Sequence, residues 1–456
     1  MKIDMVDPNI FRAYDVRGVF SKDINEDVAI LLGRVFGTYV GNEGDVIAGR
    51  DVRLSGETLC KAFAEGMRDT GCNVYEAGII PTPAAYFGIL ALKMDGGFQV
   101  TASHNPPEWN GFKLILKTGD TVSEGFGMEK VKDMALRREF KLVEKKGCLK
   151  KVDVLSIYEN FLLGRFKLER NVRVALDLSN GAGCNFVPRF LSKIGCDIVA
   201  INDVPDGRFP GHLPEPTEEN LQPLSQLVVS SKADFGVGLD GDADRAVFVD
   251  DLGRILPGDV ALAVFVSNLE RKGKVVYDVS SSSFLKKVIE EVGCEPIESR
   301  VGRAFVMRKV RESGALIGGE KSNHIYFSEV YGFDDAIFAI GKMAEIISRS
   351  EVRLSEIVDR FPRLPSVPIT SFDCPDEYKF KVVEDLIGFF ESKGFTISTI
   401  DGVKATSEDG WVLIRPSNTM PQIKMTAEAK TEEKLKELVK MAQEAIKTKI
   451  DELSKG

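Results

Sequence analysis

Residues 275–297, VVYDVSSSSFLKKVIEEVGCEPI, decide the fold class. An apolar strand runs into the small polar loop DVSSSS (278–283). Leu285, Val288, Ile289 and Val292 then recur at helical spacing, Gly293 stops the helix, and Cys294 opens another short strand. Gly71, Gly195 and Gly394 hold the place of Gly293 at intervals of about a hundred residues, so the unit occurs four times. Before the first two of these, the loops are GRDVRLSG (49–56) and DLSNGAG (177–183). Strand, loop, helix, Gly and strand make a βαβ unit, which implies parallel sheets covered by helices, with ligands at the carboxyl ends of the strands.

The fourth unit differs. Its helix, over 378–390, precedes several short strands and a closing helix from Thr431, as in a small α+β domain. The expected fold is therefore α/β, a four-domain chain with three consecutive βαβ-type mixed-sheet domains and a smaller C-terminal α+β domain around a central cleft. Repeat spacing places the domains at 1–153, 154–254, 255–367 and 368–456. The charged stretch 129–146 reads as a helix closing the first of them.

At 456 residues the chain exceeds what one hydrophobic core supports, which agrees with several domains. With 43% hydrophobic and 28% charged residues it reads as globular rather than disordered. The opening MKIDMVDPNI lacks a signal-peptide pattern, and no apolar run approaches membrane-spanning length, so the expected setting is cytoplasmic with no membrane partner. Seven cysteines without Cys-x-x-Cys spacing argue against disulfides or zinc and read as small core residues. A net charge of −9 disfavours nucleic acid, so an anionic substrate needs a local cluster of Arg and Lys. Nothing in the sequence sets the oligomeric state.

Four loops carry chemistry. The first, TASHNPPEWNGFK at 101–113, follows a strand and presents Ser103 between Ala102 and His104. The paired prolines block an immediate helix, so Ser103 is expected on a rigid, exposed turn. Thr101 and Asn105 stand where a G-x-S-x-G elbow needs glycines, which disfavours acyl hydrolysis. The second, DGDADR at 240–245, lies between FGVGL and AVFVD. Carboxylates at alternate positions repel by about 3 kcal/mol per close pair at an effective dielectric of 20, so Asp240, Asp242 and Asp244 need a cation or ample solvation. Oxygen-only ligands favour Mg²⁺, while Arg245 and Asp251 occupy positions that exclude an EF-hand.

The third loop, GGEKSNH at 318–324, places Glu320 and Ser322 to bind sugar hydroxyls and His324 to hydrogen-bond or transfer protons. The fourth, RPSNT at 415–419, combines Arg415 with Ser417, Asn418 and Thr419 in a phosphate cradle. Each loop alone also reads as an ordinary polar turn. Two of the three histidines, His104 and His324, fall within these loops, whereas His212 lies in a connector of the second domain.

Together with FRAYDVRG (11–18) and GFDD (332–335), these loops resemble, in order and over essentially the full length, the α-D-phosphohexomutases, and within them the phosphomannomutase/phosphoglucomutase group. The resemblance implies phosphoryl transfer between the 1- and 6-positions of a small-molecule hexose phosphate through a phosphoserine and a hexose 1,6-bisphosphate. It implies Ser103 as the phosphate carrier, with a phosphoserine oxygen joining Asp240, Asp242 and Asp244 around Mg²⁺. Glu320, Ser322 and His324 would face the sugar. Arg415, Ser417, Asn418 and Thr419 would hold the idle phosphate. Tyr14, Arg17, Lys113 and Arg245 would line the cleft, with His104 as a proton-transfer partner.

The chain departs from the family pattern at DVSSSS, Arg303, Asn323 and Met420, which keeps glucosamine and pentose phosphates open as substrates. Two rivals stand beside this reading: an aspartyl-phosphate enzyme with Asp240 as nucleophile and Asp242 as acid, and a non-catalytic sugar-phosphate binder. Asp244 stands where the D-x-D enzymes carry Thr or Val.

Overall fold

The computed structural model describes residues 6–417 and 421–455. Four sheets follow one another along the chain. The first contains β1 (Val16–Val19), β2 (Asp45–Arg50), β3 (Asn73–Ile79), β4 (Gly96–Val100), β5 (Trp109–Leu116) and β6 (Leu149–Lys151), in the order β1-β5-β4-β2-β3-β6. The second holds β7 (Val172–Asp177), β8 (Cys196–Ile201), β9 (Phe235–Leu239) and β10 (Ala246–Asp250), ordered β10-β9-β7-β8. The third holds β11 (Lys274–Asp278), β12 (Glu295–Ser299), β13 (Ile317–Gly319) and β14 (Ile325–Phe327), ordered β12-β11-β13-β14.

The repeated unit is the parallel pair at the heart of each sheet: β2 with β3, β7 with β8, and β11 with β12. A helix joins each pair, Gly56–Asp69, Val187–Lys193 or Ser283–Glu291. Gly71, Gly195, Gly293 and Gly394 all take positive φ, between 77° and 103°, the left-handed stop that a side chain resists. One more parallel strand flanks each pair, and an antiparallel strand follows it: β4 then β5, β9 then β10, β13 then β14. The sheets are thus mixed, as expected.

The fourth domain is an antiparallel sheet of β15 (Ser366–Asp373), β16 (Thr396–Ser398), β17 (Val403–Thr406), β18 (Gly410–Pro416) and β19 (Gln422–Ala429), ordered β15-β19-β18-β17-β16. Helices Asp376–Ser392 and Glu432–Lys455 pack on it.

The stretch 129–146 is not one helix. The helix Met128–Arg137 stops at Arg138, which is left-handed, because the apolar spacing of Met128, Val131 and Ala135 ends there. The chain then runs irregularly to β6, which pairs with β3 and so closes the first sheet. Asn42 Nδ2 donates to the Lys141 carbonyl and Arg68 Nε to that of Gly147, satisfying groups a helix would have paired internally.

One apolar cluster runs from the helix Thr82–Ala91 of the first domain through the second and third, so these three share a continuous core. The fourth has its own core and meets the third through a small cluster of Val279, Val301, Trp411 and Leu413. Polar contacts support that seat, as Glu428 accepts from Ser283 and from the Trp411 indole. No helix among the described residues is long and apolar enough to cross a membrane.

Asp335 of GFDD caps the helix Ala336–Arg349 and accepts from Tyr158 of the second domain at 2.6 Å. Burial pushes its carboxyl up to about 6, against the opposing pull of these hydrogen bonds. A raised folded value means that ionising Asp335 costs stability above about pH 6 and nothing below about pH 4. Asp335→Asn keeps the cap and removes that cost. Its stability relative to wild type is expected to improve by about 1–3 kcal/mol between pH 4 and pH 7, read from urea unfolding; a pH-independent difference would contradict this.

Candidate active site

Three of the four loops sit at the same topological position. Each leaves the carboxyl end of the last parallel strand and returns as the antiparallel one: Ser103 between β4 and β5, Asp240 to Arg245 between β9 and β10, and Glu320 to His324 between β13 and β14. The fourth begins in the last two residues of β18, in the C-terminal domain. Together they line a cavity of 430 Å³ that includes Tyr14, Arg17, Ser103, His104, Lys113, Asp244, Arg245, Glu320, Ser322, His324, Arg415 and Ser417. Asn418, Thr419 and Met420 lie outside the described residues.

Ser103 is not on an exposed turn: it is 1% exposed. The turn is roofed by the second domain, where a Cβ on Gly241 would lie 2.6 Å from the Ser103 carbonyl oxygen. Its φ of 50° is left-handed, an uncommon conformation for a residue with a side chain. Ser103 Oγ donates to Asp240 Oδ2 at 2.7 Å, with His104 Nδ1 farther, at 3.3 Å. The metal loop and the serine loop therefore meet through one hydrogen bond.

The three aspartates are buried rather than solvated, and their carboxylate oxygens lie within 4.8 Å of one another. Lys113 Nζ stands against Asp242 Oδ2 at 2.6 Å and Asp244 Oδ2 at 2.5 Å. Thr82 adds a hydroxyl on Asp242 Oδ2 at 2.5 Å. Burial and the other two carboxylates push Asp240 well above the usual range. Burial pushes Asp244 the same way, but Lys113, with His324, Arg303 and Arg245, outweighs it and holds Asp244 well below that range. Asp242 Oδ1 and Asp244 Oδ1 are buried with no hydrogen-bond partner. An all-oxygen donor set with two unspent oxygens fits a hard divalent cation such as Mg²⁺.

Arg245 ties the three loops together. Its Nη2 donates to His104 Nδ1 at 2.8 Å and its Nε to His324 Nε2 at 3.1 Å, while Asp240 Oδ2 lies 3.9 Å from Nε. Arg245 first, then burial, holds the His104 imidazole neutral. His324 Nδ1 lies 2.9 Å from Asp334 Oδ2 of GFDD. Glu320 accepts from the Gly302 amide at 3.0 Å and the Tyr326 hydroxyl at 2.5 Å, and burial raises it above the usual carboxylate range. His212 lies apart, paired to Asp177 at 3.0 Å.

Several lining residues carry no assignment from the sequence: Arg12, Asp15, Asn105, Arg303 and Lys424. Arg303 is 6% exposed, its Nη1 bonded to the Tyr86 hydroxyl and its Nη2 without a partner. Its departure from the family pattern was the available signal. Lys424 pairs in register with Arg415 across β18 and β19, and burial together with that guanidinium lowers its amine. A lysine between the apolar residues Ile423 and Met425 was the visible hint. The cavity wall is thus strongly cationic on a chain of net charge −9, as an anionic substrate requires.

Four family profiles match the chain in order. They are the phosphoglucomutase/phosphomannomutase alpha/beta/alpha domain I over residues 8–141, domain II over 154–253, domain III over 257–364 and the C-terminal domain over 370–445. The chain is 35% identical to a phosphoglucomutase/phosphomannomutase of Thermococcus kodakarensis, covering 96% of this chain and 99% of that one. It is 34% identical to a phosphomannomutase/phosphoglucomutase of Pseudomonas syringae, covering 94% and 93%. A crystal structure of a phosphoglucomutase/phosphomannomutase family protein from Burkholderia thailandensis superposes with a TM-score of 0.90 at 32% identity, covering 98% of each chain.

Proposed function

As the chain belongs to the phosphoglucomutase/phosphomannomutase family, we propose that its cavity moves a phosphoryl group between Ser103 Oγ and the 1- or 6-hydroxyl of a hexose phosphate, mannose or glucose. The enzyme is an isomerase, an intramolecular phosphotransferase. The observation that carries this reading is Ser103 Oγ, buried and 2.7 Å from Asp240, in a cavity where guanidinium and ammonium groups outnumber carboxylates.

In this reading Arg415 and Ser417, with Asn418 and Thr419, hold the phosphate that is not reacting. Glu320, Ser322 and His324 orient the sugar. The attacking hydroxyl loses its proton to His324 Nε2, which faces the cleft with Nδ1 against Asp334 and is freed for this when the Arg245 Nε–H that now occupies it turns to the substrate phosphate. The new P–O bond forms as the bond to Ser103 Oγ breaks, and that oxygen takes a proton for which the Lys113 ammonium is the donor. Arg245 and Arg17 offset charge on the equatorial oxygens. A divalent cation on Asp240, Asp242 and Asp244 supplies further charge neutralisation when bound. The product of the half-reaction is the 1,6-bisphosphate, which returns its other phosphoryl group to Ser103 after turning in the cleft. Its partners are small sugar phosphates, and its setting is the cytoplasm.

The test is a panel of glucose, mannose, glucosamine and ribose 1-phosphates, each with Mg²⁺ and a trace of the matching bisphosphate. Conversion of the glucose or mannose ester is expected to dominate. Binding without conversion, or acid-labile phosphate on Asp240 in place of stable phosphate on Ser103, would sink the proposal.

A further inference from the structure

Ser103 is held in its conformation largely from outside its own turn. Between Thr101 and Glu108 the chain leaves the sheet, the Asn105 amide closes a turn on the Ala102 carbonyl at 3.0 Å, and Pro106 and Pro107 contribute no amide donors. The carbonyls of Ser103 and Asn105 need donors from elsewhere. A single buried side chain of the first βαβ unit, Arg53 in the loop after β2, supplies them and is 1% exposed.

Arg53 Nη2 donates to the carbonyls of Ser103 at 2.9 Å and Asn105 at 2.6 Å. Nη1 donates to those of Pro106 at 2.5 Å and Trp109 at 2.9 Å. Nε donates to Asp51 Oδ2 at 3.1 Å, so the whole guanidinium fork is committed. Asp51 Oδ2 also accepts from Thr101 Oγ1 at 2.7 Å, and Thr101 Oγ1 in turn accepts from the Ser103 amide at 2.8 Å. Both backbone polar groups of Ser103 are therefore set by one Asp51–Arg53 pair. Phe209 of the second domain lies beneath the guanidinium at 5.1 Å, and Gly241 closes over the Ser103 carbonyl. Neither Asp51 nor Arg53 lines the cavity.

We propose that Arg53 is a positioning residue for phosphoryl transfer: it locks the turn so that Ser103 keeps its left-handed backbone and aims Oγ at the aspartate cluster. The paired carboxylate and guanidinium are together neutral, so this brace adds no net charge beside an anionic reaction. Lysine cannot replace it, because one ammonium offers three donors from a single atom and cannot span four carbonyls across seven residues.

The inference rests on the reading of Ser103 as phosphate carrier. The test compares wild type, Arg53→Lys and Asp51→Asn. Steady-state turnover uses glucose 1-phosphate with Mg²⁺ and a trace of glucose 1,6-bisphosphate. Single-turnover phosphorylation of Ser103 by the bisphosphate is followed by mass. Arg53→Lys is expected to lower kcat and the single-turnover rate by about 100-fold, with KM within about threefold, since displacement of the nucleophile slows chemistry and leaves the sugar and phosphate contacts intact. A bracing role in fold alone would lower the thermal midpoint and leave kcat of the folded protein unchanged, and that result overturns the proposal. So does a matched loss in kcat and gain in KM. If Arg53→Lys does not fold, Asp51→Asn decides: a drop in kcat of about tenfold at constant KM supports the proposal, and wild-type kcat overturns it. A wild-type protein that never gains phosphate on Ser103 overturns the underlying reading, and this inference with it.

Discussion

Ser103→Ala is expected to lower turnover of glucose 1-phosphate by at least about four orders of magnitude while leaving the fold intact. Ser103 Oγ is the hydroxyl set against the aspartate cluster, and without it the carrier of the phosphoryl group between the two positions of the sugar is lost. The structural loss is small. Alanine keeps the backbone at φ 50° under the same constraints, and only the hydrogen bond to Asp240 and the longer one to His104 disappear, a change worth about 1–2 kcal/mol. Asp240 Oδ1 still accepts from the amides of Asp244 at 3.1 Å and Arg245 at 3.3 Å. A coupled assay beside circular dichroism separates the two effects. Residual activity above a hundredth of wild type would remove Ser103 from the mechanism.

The second large effect concerns stability. Lys113 is 1% exposed, and its ammonium is the cation closest to Asp242 and Asp244 among the ion pairs described for them. Burial alone would lower its pKa, yet the two carboxylates outweigh burial and raise it, so it is charged at neutral pH. Lys113→Met leaves a buried cluster of carboxylates uncompensated, at a cost of about 3–5 kcal/mol. In EDTA the apparent thermal midpoint of this 456-residue chain is expected to fall by about 3–5 °C. A divalent cation binds the folded cluster only, so Mg²⁺ at a hundred times its Kd should return about 2.7 kcal/mol. The Mg²⁺-induced rise in midpoint should therefore be larger in the variant, where no ammonium competes for the same oxygens. An unchanged midpoint in EDTA would refute this account of the cluster.

Much of the site was legible because its chemistry is local in the chain. DGDADR places three carboxylates within five residues, and RPSNT puts a guanidinium beside two hydroxyls. The recurrent glycines were legible because a helix stop followed by a strand needs a left-handed residue wherever it occurs, and all four adopt that conformation. The helix expected over 129–146 failed for a related reason: charge is compatible with a helix, but only apolar spacing holds one against a sheet, and the spacing ends at Ala135. Ser103 was misjudged as exposed because polar neighbours in sequence say nothing about what the second domain lays over them.

The sequence by itself determined the repeated βαβ unit, the order of four loops and the residue types able to carry a phosphoryl group, since each depends on neighbours within a dozen positions. Only the tertiary structure decided that three of those loops occupy equivalent hairpins, that Lys113 counters aspartates about 130 residues away in sequence, and that Arg53 holds the turn of Ser103. Such pairings depend on burial and on where the sheets meet. A charged side chain in a linear sequence does not reveal which distant partner will share its exclusion from water.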